Sequence, residues 1–147
     1  MISLLDDKCE TSYSLELQHS HDDTTITNFT KSLINRLRFH ATECRSAARL
    51  DIFEACKLFD PHKSISEVEL LDIFVRTLGQ ATCGSIIWYK PGCDVYSFDE
   101  KWVMALFRVY KNDDFMSYDF MVRSRISVQK IEIFSLMVAN LAHILTK

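Results

Sequence analysis

Cys83 and Cys93 bracket the stretch CGSIIWYKPGC, and two sulfurs at that spacing offer a metal clamp, a reversible disulfide or a pair of ordinary thiols. A structural zinc site needs four ligands, usually in close pairs such as CxxC. Here the cysteines stand ten residues apart, and no further cysteine or histidine neighbours either one. Redox chemistry needs a thiol whose pKa is lowered by a CxxC partner or a helix start, and neither is present in the sequence. A Cys83–Cys93 disulfide is geometrically open across a ribbon, but the spacing favours ordinary buried or half-buried thiols flanking a corner. The chain's five cysteines, an odd number, suit a reducing compartment rather than a disulfide framework.

Other groups able to do chemistry are dispersed. His19-Ser20-His21-Asp22-Asp23 has the residue types of a metal site but lies in a segment too polar to order itself, which makes a solvated tail the expectation. Glu132 and His143 share the polar side of a C-terminal helix as an acid/base pair would, yet eleven residues place them about 16 Å apart along the axis. No nucleophile elbow, glycine-rich phosphate loop or di-iron carboxylate–histidine pattern occurs. The sequence therefore implies no catalytic residues, no metal and no cofactor. A ligand carrier or enzyme would need a closed pocket, and Asn140 with His143 is where the sequence would put one.

One charge pattern remains. Lys31, Arg38, Arg45 and Arg49 fall within about 40° of one another on a helical wheel and run roughly 27 Å along the axis, a ridge able to neutralise phosphates. Asp51 dilutes it. The helix after it, which a winged-helix reader would set in a groove, carries Glu67, Glu69 and Asp72 against Arg76 alone, and acid there repels a nucleic-acid backbone.

The elements positioning these residues read as helices. Apolar side chains from Ile26 through Leu33, Ile34, Leu37, Ala41, Ala48, Ile52 and Ala55 to Phe59 keep to an arc of about 140°, predicting one long helix from Asp23 to Phe59, ended by Pro61. Phe39, Leu50 and Phe53 lie on a different flank and call for a second neighbour. Ser66 with Glu69 and Ser97 with Glu100 are capping boxes, opening helices over 67–78, closed by Gly79, and over 98–111. A fourth helix runs to about Arg125, with Asp113, Asp114 and Asp119 towards its start and Arg123 and Arg125 at its end. A fifth starts at Ser127 and is apolar around most of its circumference, as a central helix would be. Between the second and third, Pro91-Gly92 fits a type II turn, with strand-forming residues on both sides.

Composition agrees: three glycines and two prolines in 147 residues supply few of the corners a sandwich or barrel needs. The expected fold is all-α: an irregular bundle of about five helices, one long helix in the N-terminal half, and a short loop or β-ribbon at residues 83–96. Residues 1–23 carry six acids against Lys8, so that segment is −5 and the rest, from −3 overall, is +2. We expect 1–23 to be an acidic, flexible tail and 24–147 a single helical domain. The start MISLLDDK has acids where a signal peptide is basic, and no apolar run is long enough to span a bilayer, so a soluble, cytoplasmic protein without membrane contact is expected.

These features favour a non-enzymatic interaction or regulatory domain acting through a protein partner or a second copy, with Phe39, Leu50, Phe53, Trp88 and Tyr89 as the candidate contact residues. The alternative is a nucleic-acid-associated regulator using Lys31, Arg38, Arg45 and Arg49. A carrier or enzyme with a pocket near the C-terminal helix comes third.

Overall fold

The computed structural model describes residues 25–42, 51–57, 64–82 and 84–146. The acidic segment 1–23, and with it His19 and His21, lies outside the described residues, as do Arg45, Arg49, Leu50 and Cys83. Among the described residues there are six α-helices: α1 over 25–42, α2 Ile52–Cys56, α3 Glu67–Ala81, α4 Phe98–Lys111, α5 Phe115–Arg125 and α6 Ile131–Ile144. A 3-10 turn, Val128–Lys130, leads into α6. The all-α expectation holds, and no strand occurs among the described residues.

Each helix buries the stripe its sequence carries. Leu33, Ile34 and Leu37 of α1, Ala55 of α2 and Leu70, Leu71, Phe74 and Leu78 of α3 enter one apolar cluster with Val103, Leu106 and Phe107 of α4. Phe134, Met137, Val138 and Leu141 put α6 at its centre, packed against α2, α3 and α4. Phe74 meets Phe107 edge-on at 6.0 Å and Phe134 at 6.1 Å between ring centroids, so three helices are joined through one aromatic contact set. No helix among the described residues is long and apolar enough to cross a membrane.

Three local expectations are corrected. The long first helix is interrupted: Asp51 is extended (φ −64°, ψ 136°) and its carboxylate accepts from the Phe53 N–H, so it caps a new helix. Apolar periodicity continues across the break because both pieces face the same core. Gly79 does not end α3, which continues to Ala81; the Gly79 carbonyl accepts from the Gly84 N–H at 3.1 Å, closing the helix one turn later. Ser127 accepts no side-chain capping hydrogen bond and opens a 3-10 turn, with Val128 exposed, rather than the last helix itself.

Between α4 and α5 the chain turns in a Schellman motif, with the Asp114 N–H on the Val109 carbonyl and the Asp113 N–H on that of Tyr110. Asp113 takes the left-handed conformation (φ 56°) usually given to glycine. The reversal lays α5 against α4 and brings Arg125, at the end of α5, back to the start of α4.

Candidate functional site

Residues 84–97, between α3 and α4, form neither helix nor ribbon, so their backbone groups need partners from elsewhere. The capping box that opens α4 supplies the first. Ser97 Oγ accepts from the Glu100 N–H, and a Glu100 carboxylate oxygen accepts from the Ser97 N–H. Both groups then do more. Ser97 donates its hydroxyl to the Ile87 carbonyl at 2.6 Å, and Glu100 accepts the Tyr89 N–H at 2.8 Å. Asp99, beside them in the first turn, accepts the Ile87 N–H at 2.9 Å. The start of α4 is thus an acceptor array for a passing backbone.

Arg38 completes it from α1. Its Nε and Nη2 grip the two Glu100 oxygens at 2.8 Å each, a bidentate pair. Nη1 donates to the Cys93 carbonyl and Nη2 to that of Val95, both at 2.8 Å, while the guanidinium carbon lies 4.9 Å from the centre of the Tyr96 ring. Arg38 is 2% exposed and Glu100 not at all. The hydrogen bond to Glu100 raises the Arg38 pKa against the opposing effect of burial. Burial by itself would push Glu100 up, but the Arg38 hydrogen bond, the Tyr89 and Ser97 N–H groups and the Arg38 charge together hold it below the ordinary carboxylate range. A buried pair of this kind adds little net stability over an apolar replacement, but losing one member leaves a charge stranded.

The corner itself is as the sequence implied. The Cys93 N–H reaches the Lys90 carbonyl at 3.1 Å across Pro91-Gly92, and Gly92 takes φ 81°, the geometry of a type II turn. Asn35 of α1 accepts the Gly92 N–H at 2.8 Å. Arg125 clamps the far end by donating to Asp99 at 2.8 Å, with its guanidinium 5.0 Å from the Trp102 ring centre.

This framework fixes a surface. Ile86 and Trp88 turn inward onto the core cluster, while Ile87 (60% exposed) and Tyr89 (38%) face out. A cleft of about 660 Å³ is lined by Ala41 and Thr42 at the end of α1 and by Ile86, Ile87, Trp88, Tyr89, Lys90 and Pro91.

The proposed contact residues divide accordingly. Tyr89 is exposed beside the cleft, and Phe39 (55%) and Phe53 (45%) are exposed on α1 and α2. Trp88 is half-buried and acts first as an anchor. The cationic ridge is corrected at Arg38: its guanidinium points into the protein, where four of its five N–H groups bond to Glu100 and two carbonyls, and at 2% exposure it is not presented to a phosphate. Lys31 is exposed. Glu132 and His143 are both exposed, and the Asn140 amide donates to the Leu136 carbonyl of its own helix, so the C-terminal polar groups do not converge. Among the described residues no three His, Cys, Asp or Glu side chains gather into a group able to hold a metal ion, and Cys93 is a free thiol.

Glu100, Asp99, Asn35 and Arg125 are the residues that sequence reasoning missed. The capping box announced Glu100 as a local device. Only its second duty, across 62 residues to Arg38, is invisible in one dimension. No protein-family model matches the chain, and no match is found among curated proteins or solved structures.

Proposed function

We propose that the protein is a non-enzymatic interaction domain that binds a protein partner through the 84–97 segment and the cleft beside it. What carries the reading is the contrast between how firmly this segment is held and what it displays. A buried Arg38–Glu100 pair, four further side chains and a type II turn hold it, while Ile87 and Tyr89 stay in solvent. A rigid scaffold presenting apolar and aromatic side chains at little further entropic cost is what recognition surfaces need. The segment gathers no nucleophile, base or metal ligand set that would favour catalysis, and its one buried arginine is committed inward.

Selection of a random peptide display library on the immobilised intact chain, with sedimentation equilibrium of the chain alone, tests this. The expected result is enriched peptides, or reversible self-association, weakened at least tenfold by Ile87→Ser or Tyr89→Ser with the fold retained. A strictly monomeric chain that enriches no peptide, or contacts indifferent to both substitutions, would overturn it.

A further inference from the structure

The segment carries half of a β-sheet's hydrogen bonding. Side chains alternate from 86 to 89, with Ile86 and Trp88 in and Ile87 and Tyr89 out, the period of an extended strand, and Pro91 biases Lys90 to the same conformation. Backbone groups of such a strand alternate between its two edges. One edge is occupied: the Ile87 N–H and C=O and the Tyr89 N–H bond to Asp99, Ser97 and Glu100. On the other, no hydrogen bond among the described residues uses the N–H or C=O of Ile86 or Trp88, or the N–H of Lys90. That leaves three donors at strand spacing over about 13 Å, with no backbone partner among the described residues and with half-buried side chains at Ile86 and Trp88.

Resting on the interaction reading above, we infer that this edge accepts an extended peptide of a partner protein as an added strand, and that the peptide carries an acidic residue to meet Lys90. Main-chain pairing with the 86, 88 and 90 positions supplies the affinity, and a side chain entering the adjoining cleft supplies the selectivity. Charge decides the occupant. Lys90 is exposed and is the charged residue lining the cleft, while Asp99 and Glu100 behind the strand are already neutralised by Arg125 and Arg38. A second copy would bring the segment Ser85 to Pro91, which has no acid and a lysine of its own, so it lacks the complement a foreign acidic peptide provides. An open edge of this kind also invites unwanted pairing, and its confinement to a few residues ended by Pro91 limits that hazard.

The test uses an octapeptide from the display selection, resynthesised with single backbone N-methyl groups along its length and titrated against the intact chain. Alternate positions should each weaken binding at least tenfold while the intervening ones do little. The Ile86 and Trp88 amides should become protected from exchange on binding, and Lys90→Glu should lower affinity for acidic peptides at least tenfold. An enriched peptide with no alternation and no protection at Ile86 and Trp88 overturns the added strand but leaves the interaction reading standing. Protection of the same amides by self-association alone overturns the foreign peptide as occupant. A monomeric chain that enriches nothing overturns both readings.

Discussion

The helical core and the 84–97 segment solve the same problem with opposite chemistry. In the core the helices satisfy their own backbones, and what remains is apolar packing, as where Phe74, Phe107 and Phe134 meet at about 6 Å. In the segment the backbone has no regular partner, and Arg38, Asn35, Ser97, Asp99 and Glu100 take its place. Packing is plastic and degrades by degrees. A network of buried charges is not: every member needs every other. The two regions should therefore fail differently.

The largest effects set them side by side. Phe134→Ala empties the centre of the core and should cost about 3–5 kcal/mol of global stability, seen as a uniform rise in amide exchange and a lower midpoint in denaturant. Arg38→Ala should cost about as much, ~3–5 kcal/mol, because it strands the Glu100 charge and the Cys93 and Val95 carbonyls. Its signature should be local: Trp88 fluorescence and the Tyr89 amide respond before the helices melt. Equal loosening everywhere would erase the distinction between the regions.

Acid sharpens the comparison. Glu100 is held below its unfolded pKa of about 4.5, so the native state binds its proton less readily than the unfolded chain. The stability it contributes is complete above about pH 4.5 and disappears as pH falls through the lower folded value. Glu100→Gln should destabilise at neutral pH and flatten that part of the acid limb, whereas Phe134→Ala should shift the whole curve without changing its shape. Acid titration of denaturant midpoints measures both.

Smaller substitutions separate the roles of single atoms. Ser97→Ala removes both the α4 cap and the bond to the Ile87 carbonyl, a loss of about 1–2 kcal/mol. Two glycines should respond with opposite sign. At Gly92 the positive φ penalises any other residue, so Gly92→Ala should cost about 1–2 kcal/mol. Gly79 is helical, and a methyl there would meet the Gly84 carbonyl oxygen at 3.4 Å, the near limit of ordinary contact. Gly79→Ala should gain up to about 0.5–1 kcal/mol. Thermal unfolding resolves either change.

This division also explains what could be read in advance. Apolar periodicity located Leu33, Ile34, Leu37 and Ala55, because burial repeats with the helix pitch. Local cap chemistry placed Ser66 and Ser97, and turn chemistry placed Pro91-Gly92, because each depends on residues within three or four positions. The break at Asp51 was hidden, since two helices facing one core keep a common apolar phase. Arg38 was misplaced for a related reason. A wheel sorts residues by angle but cannot say which angle meets a neighbouring loop, and Arg38 faces the carbonyls of residues 55 and 57 positions away. The candidate site is built from such distant polar contacts, so only its turn and its cap were legible.

The 84–97 segment is fixed along one edge by the start of α4, and among the described residues its other edge has no partner. Residue-resolved amide exchange of the unbound chain tests this most directly. Exchange should be slow at Ile87 and Tyr89 and fast at Ile86 and Trp88, with the Tyr89 protection lost in Glu100→Gln. Four amides exchanging at one common rate would contradict it.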